Sequence, residues 1–283
     1  MKHLFISIGF IAGLLSIAAS CTTKNAANDL TVSQTTDSTS ITLTKDTLIQ
    51  NIASADITKK DTFRYEKKGP FVENDTTFLY RFATNVQGYH CFADIYIEKD
   101  RQSESYQRIL KCASTYEGNE SYDAELKQLK EKHPQPFPKY SLSDLPRTWI
   151  PLCSFQNKYY INELDAYYPC WITDSLYIKN YMDGPTPFII QTFKQISPTH
   201  YHFDLMRWDN LSHIDLQIID KERKIAIVTT DEQESNRKWQ TLYVAKETAP
   251  LFDLIAWYSS DMPNGNEIDF DEIDFDTLLK QQE

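Results

Sequence analysis

Phe188-Ile189-Ile190-Gln191-Thr192-Phe193-Lys194-Gln195-Ile196, then Ser197-Pro198-Thr199, then His200-Tyr201-His202-Phe203-Asp204-Leu205, is the stretch whose reading decides the fold. Two short runs rich in β-branched and aromatic residues flank a Ser-Pro break, which is the pattern of a hairpin. In the second run Tyr201, Phe203 and Leu205 alternate with His200, His202 and Asp204. Alternate residues of a strand point to opposite faces, so one face is apolar and the other carries two imidazoles and a carboxylate.

The same rhythm continues on both sides. Ile214–Ile219 and Lys224–Thr229 flank Asp220-Lys221-Glu222-Arg223, and Lys238–Ala245 follows. Upstream, Trp149–Phe155 and Tyr159–Ile161 flank Gln156-Asn157-Lys158, and Trp171–Tyr181 precedes Asp183-Gly184-Pro185. A parallel crossover needs about a dozen residues or more, so runs joined this tightly pair antiparallel. Nearer the amino terminus, Phe78–Phe82 and Tyr89–Ile97 alternate about an Asn85–Gly88 turn. Ser103 is placed to cap a helix with Tyr106, Ile109, Leu110 and Ala113 on one stripe. Asn119 is placed to cap a second, with Tyr122, Leu126 and Leu129, ended by His133-Pro134. Leu251, Leu254, Ile255 and Tyr258 suggest a closing helix capped by Thr248. The expected fold class is α+β: an antiparallel meander, as a curled sheet or half-open barrel, with a few packed helices. The run of hairpins over roughly the last 120 residues resembles lipocalin-like domains of envelope lipoproteins.

Composition removes several functions. Seven glycines in 283 residues make no G-x-G-x-x-G, no G-x-x-x-x-G-K and no G-x-S-x-G, which disfavours nucleotide-binding enzymes and α/β-hydrolases. A net charge of −11 opposes nucleic acid, whose phosphates need a basic footprint. The acid is concentrated at the end, where Asp253 to Glu283 holds nine acidic residues and one lysine.

The first residues give an address. Met1-Lys2-His3, an apolar run from Leu4 to Ala19, then Ser20 and Cys21 have the layout of a secretory signal. The run falls short of the ~20 apolar residues of a bilayer span. Ile17-Ala18-Ala19-Ser20-Cys21 resembles the lipobox of bacterial lipoproteins. That resemblance implies cleavage before Cys21 and lipidation of Cys21. Thr22 in place of an aspartate implies the outer membrane, facing the periplasm. Residues 22–60 are rich in Thr, Ser, Asn and Ala, contain no aromatic and balance four basic against four acidic side chains. Such a stretch buries too little apolar surface to offset ordering and reads as a tether. The expected organisation is a signal peptide at 1–20, a lipidated tether at 21–60, one globular domain at 61–262 and an acidic tail at 263–283.

Three groups of side chains carry candidate chemistry. His200, His202 and Asp204 form the ligand set of a two-histidine, one-carboxylate metal site. Successive same-face residues on one strand lie ~6–7 Å apart, which makes three ligands to one ion awkward, and an amphipathic strand with a wet polar face is the plainer reading. Cys91, Cys112, Cys153 and Cys170 allow two disulfides, with Cys153–Cys170 across one hairpin the preferred pair; four buried thiols are the alternative. Glu267-Ile268-Asp269-Phe270-Asp271 is repeated as Glu272-Ile273-Asp274-Phe275-Asp276, read as a solvated tail before a weak Ca²⁺ site or docking motif. The functional expectation is a non-enzymatic binding or accessory module at the envelope, without a cofactor, held to the membrane by its lipid and acting on a lipid, glycan or another envelope protein. The alternative is a metal-dependent hydrolase using the His-x-His-x-Asp strand.

Overall fold

The structure is a computed structural model, and it describes residues 62–86, 89–142, 144–232, 237–260 and 267–281. The signal, the lipobox, the tether, Gln87-Gly88 and Asn264-Gly265-Asn266 lie outside the described residues.

The described chain is dominated by antiparallel strands: β1 (Phe63–Glu73), β2 (Thr76–Val86), β3 (Tyr89–Glu98), β4 (Thr148–Phe155), β5 (Lys158–Asn162), β6 (Cys170–Ile172), β7 (Leu176–Tyr181), β8 (Gly184–Ser197), β9 (His200–Arg207), β10 (Asn210–Asp220), β11 (Ile225–Glu232), β12 (Arg237–Ala245) and β13 (Leu254–Ser259). Helices are few: α1 (Glu104–Cys112), α2 (Glu120–Lys132), the single turn α3 (Glu163–Ala166) and α4 (Phe275–Lys280), with a 3₁₀ segment at Lys246–Leu251. Strands β6 to β12 follow one another as neighbours, and β4 lies beside β12. The sheet then closes, because Thr148 and Trp149 of β4 pair with Trp171 and Cys170 of β6. The result is an eight-stranded barrel, closed where a half-open or curled sheet was expected. Strand β4 leaves the barrel at its far end, where Cys153–Phe155 pair with β5. From there a second set of strands runs β5-β13-β3-β2-β1.

Local sequence explains most turns. Gln156-Asn157 and Asn74-Asp75 take positive φ between paired ends, the twist two-residue hairpins require. Gly184 sits at φ +113°, and a Cβ there would lie 3.0 Å from Ser121 Cβ, so this hairpin end needs glycine both for its backbone and for the approach of α2. The side chains of Ser103 and Asn119 accept from helix N–H groups as expected.

Three expectations change. Leu254–Ser259 is a strand, not a helix: it pairs antiparallel with β3 and, through Leu254 and Ile255, parallel with β5. Its apolar run, Leu254-Ile255-Ala256, is buried on both faces, and a run buried all round cannot reveal its period. Trp171–Tyr181 is two strands, since Thr173 takes the N–H groups of Ser175 and Leu176 and folds the run into a hairpin. The acidic end is not a solvated tail. Ile268 is buried, while Ile273, Phe275, Leu278 and Leu279 pack on the cluster beneath α1.

The strands of the barrel separate two apolar layers. Trp149, Tyr177, Tyr201, Phe203, Tyr243 and their neighbours fill the lumen. Ile150, Leu152, Ile225, Ile227, Leu242 and Val244 point outward from β4, β11 and β12 onto Tyr106, Ile109 and Phe252. Helix α2 covers another part of the outer wall through Tyr122 and Leu129, which meet Trp171, Ile178 and Ile189.

Candidate functional site: a histidine–aspartate ladder on the barrel wall

Across the middle of β8, β9 and β10, between Ile189 and Ile219, the outer wall carries polar side chains. Register sets Thr192 opposite Asp204 and Lys194 opposite His202 across β8–β9. It sets Asp204 opposite His213 and His202 opposite Asp215 across β9–β10. A bulge between Ile190 and Thr192 brings the Thr192 hydroxyl onto Asp204.

Asp204 is the hub. Its Oδ1 accepts from His202 Nε2 at 3.0 Å and from His213 Nδ1 at 2.6 Å, and its Oδ2 accepts from Thr192. Burial works to raise the Asp204 pKa, but the Thr192 hydroxyl and the imidazoles of His213 and His202 outweigh it and hold the carboxyl down to about 2. His202 is bonded at both ring nitrogens, with Nδ1 3.0 Å from Asp215 Oδ1. Desolvation alone would lower its pKa, yet the hydrogen bonds and charges of Asp215 and Asp204 leave it raised. The His202 and His213 rings stack, with centroids 5.9 Å apart and planes 18° apart. His200 is set aside from Asp204 and bonds Asp215 Oδ1 at 3.1 Å.

The set read along one strand is therefore rearranged. His202 and Asp204 belong together, His200 does not join them, and His213 from β10 takes its place. Donor atoms of His202, Asp204 and His213 lie within 4.8 Å of one another, the one such group among the described residues. The obstacle of spacing along a single strand disappears once the third donor comes from the neighbouring strand, ~4.7–4.9 Å away. Sequence reading missed His213, Asp215 and Thr192. The signal was present in His213-Ile214-Asp215, which alternates as His202-Phe203-Asp204 does, one hairpin further on.

The other candidates are structural. No disulfide joins Cys112, Cys153 and Cys170. Cys170 lies in the lumen cluster and Cys153 packs beside Phe155 and Tyr160, so the structure does not bring that pair together. Burial pushes the Cys170 thiol up to about 11 and Cys153 far above its ordinary value, which leaves neither a nucleophile. In the acidic repeat, Asp271 accepts from Ser154 Oγ at 2.8 Å and from the Asn157 N–H at 2.7 Å. Asp274 caps α4 through the Thr277 N–H. Asp271 holds the segment against the β4–β5 hairpin, and Asp274 starts its helix. Among the described residues no helix is long and apolar enough to cross a membrane. No protein-family model, curated protein or solved structure matches the chain.

Proposed function

We propose that this chain is an envelope lipoprotein, lipidated at Cys21 and facing the periplasm from the outer membrane, whose barrel serves as a non-enzymatic accessory module. The observation that carries the second half of this reading is the packed lumen. Trp149, Tyr177 and Phe203 are among its largest fully buried side chains, with Phe193 stacked on Tyr201 at 6.2 Å near one end. A barrel that carries a lipid or glycan inside must leave room for it. A barrel filled by its own aromatics offers partners its outer wall, and a tethered protein meets partners in the same envelope. The first half rests on the Ala18-Ala19-Ser20-Cys21 end of the apolar run.

Metabolic labelling with an alkyne fatty acid tags the wild type and not Cys21→Ala if the anchor is real; equal labelling of both, or of neither, removes it. Native mass spectrometry of the same full-length preparation then reads the lumen. The expected mass is that of the processed, lipidated chain, and a stoichiometric lipid or glycan beyond the anchor overturns the packed-barrel reading.

A further inference from the structure

We propose that His202 Nε2, His213 Nδ1 and Asp204 Oδ1 form a three-ligand site for one divalent transition-metal ion of the zinc class on the outer wall of the barrel. Two imidazoles from neighbouring strands converge on a single carboxylate oxygen, at 3.0 and 2.6 Å. Zn²⁺ bonds to His and Asp at about 2.0–2.2 Å. Around a tetrahedral ion at that distance the ligand atoms stand about 3.3 Å apart. To reach that spacing His202 Nε2 and His213 Nδ1 draw back from Asp204 Oδ1 by about 0.3 and 0.7 Å, shifts that small side-chain rotations supply, and all three donor atoms already lie within 4.8 Å of one another. Mixed imidazole and carboxylate donors suit Zn²⁺, Cu²⁺ or Ni²⁺ better than Ca²⁺ or Mg²⁺, which prefer oxygen alone.

The surroundings are those a metal site uses. Asp215 Oδ1 lies 3.0 Å from His202 Nδ1. A carboxylate there fixes the proton on Nδ1, so that an ion taking the place of the Nε2 proton meets Nε2 and Asp204 Oδ1 together. Thr192 holds Asp204 through Oδ2 and leaves Oδ1 for the ion. The two aspartates, Asp204 and Asp215, supply the negative charge that a dication balances once it replaces the Nε2 proton. The side chains of His202, Asp204 and His213 remain 23%, 26% and 28% exposed, so an ion has a way in and water can fill the fourth position. The inference stands apart from the anchor: loss of lipid labelling at Cys21 leaves it untouched.

A ladder of charge pairs alone would bind no metal stoichiometrically, and this separates the two. The untagged full-length chain, purified in detergent and stripped with a chelator, is titrated with Zn²⁺ by calorimetry and with Co²⁺ by visible absorption. One equivalent is expected, with the Co²⁺ spectrum of nitrogen and oxygen ligands. His213→Ala and Asp204→Asn each weaken Zn²⁺ binding at least 100-fold, Asp215→Asn weakens it about 10- to 100-fold, and His200→Ala leaves it near the wild-type value. Far-UV circular dichroism checks each fold, and His213→Gln substitutes for His213→Ala if the latter does not fold. The proposal is overturned by absence of stoichiometric binding, by unchanged affinity in a folded His213 variant, by an equal loss in His200→Ala, or by a thiolate-to-cobalt charge-transfer band that assigns the ion to cysteines.

Discussion

Inside the barrel, strand β9 contributes Tyr201, Phe203 and Leu205, each at most 3% exposed. On the outside the same backbone contributes His200, His202 and Asp204, whose side chains are 23–28% exposed. One face of β9 packs the core and the other carries polar side chains, because alternate side chains of a strand point to opposite faces. The outer wall is itself divided. Over β4, β11 and β12 it is apolar and covered by α1 and the C-terminal segment. Over β8–β10 it carries the ladder. Strand β10 spans both regions, with His213 and Asp215 in the ladder and Ile219 against the covering cluster.

The largest effect expected from this division is in the lumen. Phe203 is fully buried, 5.2 Å from Phe193 and 6.4 Å from Tyr177 between ring centroids. Phe203→Ala leaves a cavity that the closed strands cannot collapse into, at a cost of about 3–5 kcal/mol. The urea midpoint measures it. A loss under ~1 kcal/mol would mean that the lumen is loosely filled and would remove the distinction between the two faces.

How far sequence reached follows the same boundary between local and distant contacts. The hairpins from β8 to β12 were legible, because Ser197-Pro198 and Asp220–Arg223 mark the turns and alternation marks the faces. The helix caps at Ser103 and Asn119 were legible for the same local reason. Closure was not: it rests on Trp149 meeting Cys170, a pairing that no local pattern announces. Strand β1 was hidden because Lys67-Lys68-Gly69-Pro70 breaks its alternation at a register shift. Strand β13 was hidden by its all-round burial. The candidate site was half legible: His202 and Asp204 came from one strand, whereas His213 required knowledge of which residue lies across the ladder. The buried Glu163, held by Arg108 at 2.5 Å and by the Trp257 N–H at 2.8 Å, is a further long-range contact with no local signature.

On the wall, the expected effect on stability is much smaller than in the lumen. His202 lies between two carboxylates, but all three groups remain partly exposed, and such pairs contribute about 1 kcal/mol or less. In chelator-treated protein His202→Ala should therefore shift the urea midpoint by no more than that, while Phe203, its neighbour in sequence, shifts it several-fold further. A loss of 3 kcal/mol or more would show that the ladder is part of the core's support, and the contrast between faces would fail.

The smallest expected effect concerns how the covered part of the wall is held. The backbone N–H of Asn157 and the hydroxyl of Ser154 hold the Asp271 carboxyl below its ordinary value, against a minor opposing push from desolvation. Asp271 N–H also bonds the Ser154 carbonyl at 2.9 Å, so carboxylate and backbone grip the same β4–β5 hairpin. A group whose folded pKa is depressed contributes stability that is full above the unfolded value, ~3.9 for aspartate, and is lost as pH falls through the folded pKa. The contribution concerns docking of one segment more than the global fold, since Ile268, Phe275 and Leu278 keep their apolar contacts. Hydrogen exchange across residues 267–281 is the appropriate measurement. At pH 7, Asp271→Asn should raise exchange in that segment while leaving β8–β12 unchanged. Below the folded pKa the wild type should approach the variant, because both then lack the charged acceptor. Equal protection of the two proteins at neutral pH would mean that the apolar side chains alone dock the segment, and that Asp271 merely accompanies a contact made without it.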